Sequence, residues 1–430
     1  MLMFKKLAGF PDIYPAIMPL FYFSKMLGLA PIRFIKEYNS HGSACIKRAT
    51  KSKYGKLYGL FITGIMLFLA VETLYWKIKY QYPTSSRSAV TSNLFFWMTT
   101  GSSTIFSLLL GGFVNAKKLV SGLEKVRLFD REFLFNRNQI YRKIYVFISA
   151  EITAFIFVYI VMCYCHFLLY EAIGTFNQRF IVIYFVYLIN FAVMIQFGNF
   201  VFLIYQRLVI LNERLRKCMK TKNHFNSKSI SEVCCNIFTT FTNDSCNLES
   251  EQRSINQKEK HDAKMSAKVR TLMKQQYRLR EIADHVNDLY GLQFLLEFTA
   301  VFIDVTGNLY FLLRVILRDD PLRMTSVGQE FVCITKLVWT IAISFKIIGV
   351  VMVCHKTCAE CSRTTDHLQH LMLSVPTDSD LKMELLLFSH QVNNRPFRFT
   401  AFGFFDIDRS VLCSFVGGIA TYLTVLLQFH

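Results

Sequence analysis

Charged residues are scarce in this chain: Asp, Glu, Lys and Arg make up only 18% of 430 residues, while 53% are apolar. A soluble globular protein carries about 25% charged residues. The shortage excludes a disordered chain and argues against an ordinary soluble enzyme. Acids are scarcer than bases, 30 against 49, for a net charge of +19. On a soluble protein that surplus would suggest a nucleic-acid partner. Here it reads as the imprint of loops facing an anionic membrane leaflet, and no nucleic acid is expected. A cleavable leader is not evident either. Lys5 and Lys6 precede an apolar stretch interrupted by Pro11, Pro15 and Pro19, with no small-residue cleavage site. The N-terminus is therefore expected to stay in the cytosol. No G-x-S-x-G, G-x-x-x-x-G-K-[ST] or H-E-x-x-H motif occurs, so neither catalysis nor a cofactor is expected.

What the chain does have is apolar length. A spanning helix needs about 20 mostly apolar residues, and seven such runs are present: 57–76, 93–115, 144–170, 180–205, 291–316, 330–354 and 404–429. The fold class expected is an all-α, multi-pass membrane protein of seven transmembrane helices in the plasma membrane. Lys and Arg set its orientation. The segment before the first run and the loops after the second, fourth and sixth hold 39 of the 49; the loops after the first, third and fifth hold 6. By the positive-inside rule the N-terminus is cytosolic and, after seven crossings, the C-terminus is extracellular. That is the reverse of a G-protein-coupled receptor.

Cysteine use agrees. Of 12 cysteines, Cys163, Cys165, Cys333 and Cys413 lie within spans, Cys354 sits at the cytosolic end of the sixth, and the rest lie in segments read as cytosolic. An extracellular disulfide framework is thus excluded. The sequon at Asn243 also falls on the cytosolic side. Cys354, His355, Cys358 and Cys361 could offer thiolates and an imidazole to zinc, but no second ligand pair follows at finger-like spacing, and no metal is assigned.

The domain plan is then a cytosolic N-terminal segment (1–56), the first six spans (57–354), a cytosolic helical segment (355–403) and the last span (404–430). Leu208, Leu211, Leu215 and Cys218 continue the fourth span at 3/4 spacing, and Leu272, Leu279, Ile282, Val286 and Leu289 lead into the fifth. Leu381, Leu385 and Phe388 can join them. Such stripes bury one helix face each, so cytosolic helical extensions forming an anchor bundle are expected. Residues 222–265, rich in Asn, Ser and Lys, read as a flexible insert.

The last span is the most informative. Ser410, Ser414, Gly417, Thr421, Thr424 and Gln428 recur at spacings of 4, 3, 4, 3 and 4. A 3.5-residue period holds one stripe to one direction over a rise of about 27 Å, close to the hydrocarbon thickness. A continuous small-polar stripe suits a water-lined pore. Close helix packing is the other reading, which Ser414 and Gly417 fit and Gln428 fits poorly. One helix cannot enclose a pore, so the pore reading requires a symmetric oligomer.

The ending from Thr421-Tyr422 to Gln428-Phe429 resembles the TY-five-hydrophobic-QF signature of insect gustatory receptors, departing only at Thr424, where the signature is apolar. Ser414-Phe415 and Ile419-Ala420 also suit that family. Residues 21–31, Phe-Tyr-Phe-Ser-Lys-Met-Leu-Gly-Leu-Ala-Pro, resemble its sugar-responsive, fructose-receptor-like branch. The resemblance implies a homotetrameric, ligand-gated, nonselective cation channel, working alone or with co-receptor subunits. It implies a small-molecule tastant, a pore lined by the last helix, a gate at Gln428 and Phe429, and a ligand pocket in the outer halves of the middle spans.

Polyol recognition asks for carboxylates, amides and an aromatic face in one concave site. Asp304 and Asn308 share a face of the fifth span, Trp339 and Thr340 lie in the outer part of the sixth, and Trp97 and Thr100 in the second. These six are the expected ligand residues. Asp304 could instead form a structural pair with Lys336, and Trp97 could anchor the outer interface. Tyr164, His166, Tyr184, Tyr187 and Asn190 suit either a cavity wall or packing. Glu151, Glu297 and Lys346 read as a structural charge cluster. A secondary transporter would show repeated halves and broken helices, which are not evident, and a bitter compound remains the alternative ligand.

The charge census makes a direct prediction. Protease added to intact cells should remove a C-terminal tag and spare an N-terminal one; the reverse pattern contradicts the orientation.

Overall fold

The computed structural model describes residues 12–38, 44–81, 87–172, 181–239, 247–317, 326–376 and 379–428. The apolar runs become helices. The helices described are α1 (Ile13–Met26), α2 (Lys53–Trp76), α3 (Arg87–Leu109), α4 (Ala116–Phe133), α5 (Arg137–Ala172), α6 (Ile181–Thr239), α7 (Asn247–Leu317), α8 (Ser326–Leu373), α9 (Asp380–Asn394) and α10 (Arg409–Gln428), of which α1, α4 and α9 lie outside the apolar runs. Among the described residues six helices are long and apolar enough to span a membrane: Lys53–Tyr80, Arg137–Leu168, Ile181–Thr221, Asp262–Leu317, Val332–Leu373 and Arg409–Gln428. Several turn large apolar side chains outward, among them Phe61 and Phe68 on α2, Phe157 and Ile160 on α5, and Phe345 on α8. The second expected span is helical as α3 but is not one of the six. Its run Thr99, Thr100, Ser102, Ser103, Thr104 and Ser107 dilutes the apolar character. Those hydroxyls are partly answered within the helix, since Thr99 donates to the Phe95 carbonyl (2.8 Å) and Thr104 to that of Thr100 (3.0 Å).

Two compact units share the chain. The first comprises residues up to Phe200, His285–Val353 and the segment from Phe399. It begins with α1, whose Ile13, Tyr14, Ile17 and Leu20 are buried. Gly28 ends that helix at φ +78°, and the chain turns into an antiparallel hairpin, β1 (Ile32–Tyr38) with β2 (Ala44–Lys51). The all-α expectation is corrected here. Pro31 and the alternation of Ile32 and Phe34 with Arg33 favour extended backbone over helix, and the Phe34 ring packs on Tyr14 (5.5 Å) and Phe21 (5.8 Å). Near this turn α3 gives way to a π-helical stretch, Leu110–Val114. A Cβ on Gly112 would lie 2.8 Å from the Gly28 carbonyl oxygen, so only glycine permits the approach.

A buried polar network fastens α1 to α4. Asp12 accepts from Arg127 Nη2 at 3.1 Å and from Arg131 Nη2 at 3.3 Å, and Tyr14 donates to Glu124 at 2.6 Å. Burial, then the bond to the Glu124 carboxylate, pushes the Tyr14 phenol well above its ordinary pKa and keeps it a donor.

The second unit comprises Val201–Asp284 and Cys354–Arg398. Leu208, Leu211 and Leu215 on α6, Leu272, Leu279 and Ile282 on α7, and Leu381, Leu385 and Phe388 on α9 are all buried in it. Side-chain bonds fix the register. Asn212 Nδ2 donates to the Glu360 carbonyl (2.8 Å), Thr364 Oγ1 to Asn212 (2.7 Å), and Gln391 Nε2 to Gln276 (2.7 Å); Arg270 pairs with Glu384. The expected flexible insert differs: α6 continues to Thr239 and α7 starts at Asn247. Its described parts, 222–239 and 247–265, contain no Pro and no Gly, so they can be helical despite their polarity.

The last helix starts later than expected. Residues 404–408 form a turn in which Ala401 N donates to the Phe405 carbonyl (2.9 Å) and Ile407 N to that of Phe399 (2.7 Å). Asp408 then accepts from Ser410 N at 2.9 Å and fixes the start at Arg409.

Removing one partner of a buried ion pair leaves an uncompensated charge and costs about 3–5 kcal/mol. Arg127→Ala should therefore lower the melting temperature of the detergent-purified protein markedly. Leu128→Ala, at an exposed neighbour, should change it little. Equal melting of both variants would show that the Asp12 network contributes nothing.

Candidate functional site

Four helices of the first unit bring polar and aromatic side chains together. One turn of α7 places Asp304 and Asn308 on one face, both buried. Tyr187 on α6 donates to Asp304 Oδ2 at 2.7 Å, and Asn308 Nδ2 reaches Asp304 Oδ1 at 3.4 Å. Trp339 on α8 meets the Tyr187 ring edge-on at 4.9 Å and stacks against the His166 ring of α5 at 5.9 Å. His166 Nδ1 is 2.7 Å from the Tyr184 hydroxyl.

Asp304 and Lys336 are linked through Asn308. Lys336 Nζ donates to Asn308 Oδ1 at 3.4 Å, so the amide bridges ammonium and carboxylate. The cluster thus offers a carboxylate, an amide, an ammonium, phenols, an imidazole and an indole face. Such a set can grip a small molecule through several hydrogen bonds and one flat surface.

Of the six expected ligand residues, Asp304, Asn308 and Trp339 belong to this cluster. Thr340 lies one turn beyond Lys336 on α8 and gives its hydroxyl proton to the Lys336 carbonyl at 2.8 Å. Trp97 is buried, with Lys77 Nζ 5.2 Å from its ring centre. Thr100 is buried one turn from Thr104, which donates to Asn190 Oδ1 at 3.1 Å; among the described residues the Thr100 hydroxyl has no hydrogen-bond partner. Tyr187, His166 and Tyr184 carry more of the cluster than the sequence shows. The spacing of Tyr184 and Tyr187 was the available signal, and it also fits plain packing. Glu297 and Lys346 form a buried ion pair joined by Ser103 Oγ (2.9 Å), as a structural cluster requires, while Glu151 takes the Asn199 amide (2.7 Å) instead.

The second candidate feature is α10. Ser410, Ser414, Gly417, Thr421, Thr424 and Gln428 are all exposed in the single chain; Phe429 lies outside the described residues. A second face, made of Val411, Phe415, Ile419 and Tyr422, rests partly on α7. Phe415 packs on Phe298 (5.2 Å) and Phe302 (5.7 Å), Tyr422 packs on Phe302 (5.6 Å), and Val411 and Ile419 are buried. Thr421 and Thr424 donate to the carbonyls of Gly417 and Ala420, both at 2.9 Å, which lowers the need for outside partners without removing their polarity.

Known proteins resemble this chain over its length. The family model of the 7tm chemosensory receptors matches residues 17–430. Putative gustatory receptor 28b of Drosophila melanogaster is 22% identical over 99% of this chain and 88% of its own length. The gustatory receptor for bitter taste 66a of the same fly is 28% identical over 39% of this chain and 31% of its own. The insect olfactory receptor OR5 of Machilis hrabei, solved in complex with eugenol and without it, superposes with a TM-score of 0.64 at 14% identity, covering 97% of this chain and 99% of that one. A match running from α1 to the end of the pore-like stripe is a match to the whole architecture, and the chain belongs to the 7tm chemosensory receptor family.

Proposed function

We propose that this chain is a gustatory receptor acting as a ligand-gated, nonselective cation channel in the plasma membrane. It works as a homotetramer, seven helices per subunit, with α10 lining the pore. The observation that carries the reading is the surface of α10: Phe415 and Tyr422 rest against Phe302 of α7, and an unbroken polar stripe runs among the residues left exposed. A polar stripe facing lipid gains nothing, whereas four such stripes facing one another line a water-filled path. Gln428 would close the ring of amides that screens cations, and Phe429 would support it.

The opening ligand is a small molecule bound by Asp304, Asn308 and Trp339, with Tyr187, His166 and Lys336 beside them. A sugar or polyol suits this set best, because a carboxylate, an amide and an ammonium answer hydroxyls while the indole lies against the ring. A bitter compound is the second reading, favoured by the likeness to the bitter-taste receptor. Helix α7 supplies the mechanical link. Residues two apart on a helix lie about 200° apart around it. Asp304 therefore faces the ligand cluster while Phe302 presses on Phe415 and Tyr422 of α10. A ligand that binds one position of α7 better than the other shifts the gate in proportion to that preference.

Two outcomes follow. Asp304→Asn and Trp339→Ala should each shift the ligand dose–response by about tenfold or more, the loss of one or two buried contacts, with single-channel conductance unchanged. Wild-type responses in both variants at normal surface expression would place the ligand elsewhere. Gln428→Ala should instead alter cation selectivity or raise leak current, with the half-maximal ligand concentration little moved. Unchanged selectivity, rectification and leak would remove this helix end from the gate.

A further inference from the structure

A strongly basic surface in the first unit takes part in neither the ligand cluster nor the pore stripe. Strand β2 ends at Lys51, and α2 begins at Lys53 behind the Ser52 cap, which accepts from Gly55 N at 3.0 Å. Lys56 completes the first turn of α2. Helix α4, packed against β2, carries Lys117 and Lys118 in its own first turn. Neither helix has an acid in its first turn. That inverts the usual preference, because a helix N-terminus carries about half a positive charge and favours Asp or Glu. Two positive helix ends are here loaded with further ammoniums.

The ammoniums are close enough to act on one another. Loss of hydration, then repulsion from Lys117 and Lys56, holds Lys51 below its ordinary pKa. Lys51 and Lys117 are exposed. Among the described residues no carboxylate pairs with Lys51, Lys56 or Lys117. Lys56 Nζ instead lies 5.0 Å from the centre of the half-exposed Phe113 ring, and Tyr54 in the same turn is 84% exposed. Exposed aromatics at the end of a spanning helix mark the headgroup level of a bilayer, and α2 is such a helix. Concentrated positive charge without acids, set at that level, asks for more anionic charge than a single phosphodiester supplies.

We propose that this surface binds the polyphosphorylated headgroup of an anionic membrane lipid, seated between the N-termini of α2 and α4 and held by Lys51, Lys56 and Lys117. It rests on the reading of the chain as a membrane receptor with this end of α2 in the cytosolic leaflet. The acyl chains lie along the outer face of α2, and the phosphates neutralise ammoniums that otherwise repel one another. Occupancy would tie the hairpin and both helix ends to the leaflet.

The test uses the full-length chain purified in detergent and a fluorescent short-chain phosphatidylinositol bisphosphate, followed by anisotropy. Each lysine at a membrane surface contributes about 1 kcal/mol, so Lys51→Gln with Lys117→Gln should weaken binding about thirtyfold. The charge-retaining pair Lys51→Arg with Lys117→Arg should bind within about threefold of wild type. Short-chain phosphatidylserine and soluble inositol trisphosphate should each compete at least about tenfold more weakly than the unlabelled lipid. Unchanged affinity in the Gln pair overturns the site, and so does an Arg pair as weak as the Gln pair, which would make the loss structural. Equal competition by inositol trisphosphate overturns the lipid as the source, and equal competition by phosphatidylserine overturns the phosphate specificity. The assay reads binding and not current, so a chain that binds the lipid but conducts nothing contradicts the channel and leaves this site standing.

Discussion

Hydrocarbon offers no hydrogen bonds, so a polar group placed in a membrane span has to find its partner inside the protein. That constraint organises the first unit. Glu297 meets Lys346 and Ser103; Tyr290 donates to Gln196 at 3.2 Å; Gln293 Nε2 donates to the Ser107 carbonyl at 3.2 Å; Glu151 takes the Asn199 amide. Each bond joins different helices, and a misplaced helix would strand both of its ends. Apolar packing against lipid cannot choose among helix arrangements, because tails and leucines are equally apolar. The buried polar pairs therefore carry much of the specificity of the bundle.

Two features use the same constraint differently. Around Asp304 the partners are only loosely matched. The carboxylate holds one close bond, from Tyr187, while Asn308 and Lys336 stand at the long end of the hydrogen-bond range. A group so held can exchange a protein partner for a ligand at small loss. Along α10 the polar side chains are left uncovered in the single chain, and Thr421 and Thr424 turn their hydroxyls to carbonyls of their own helix. Helix α7 touches both features, through Asp304 on one side and Phe302 on the other, and is the contact that the proposed gating would use.

The sequence showed the spans because length and apolarity leave few alternatives, and it showed the α10 stripe because one heptad-like period ran unbroken over nearly the whole helix. Asp304 stood out because an ionisable residue in a span is rare. Other features were hidden for physical reasons. The β1–β2 hairpin carries charges on both strands and lies between Gly28 and Pro31 at one end and the capping Ser52 at the other; its short alternation gains meaning only from the ladder and from Phe34 packing on Tyr14 and Phe21. The helices through 222–239 and 247–265 have no apolar stripe to reveal them. Tyr187, Tyr184 and His166 could not be told from packing aromatics, because the hydroxyl–carboxylate bond that distinguishes Tyr187 joins residues on two helices far apart in sequence. Trp97 was chosen with Thr100 on the second expected span, and spacing along that span could not show its approach to Lys77 on the preceding element.

The central claim is that this one chain binds its ligand and conducts cations itself. The most direct measurement is whole-cell current from cells expressing only this chain, challenged with a panel of sugars, polyols and bitter compounds while a non-hydrolysable GDP analogue in the pipette silences G proteins. The account predicts a rapid, ligand-evoked, nonselective cation current that the analogue leaves intact. A response to ligand that vanishes with the analogue, or surface-expressed protein that binds ligand and passes no current, would contradict it.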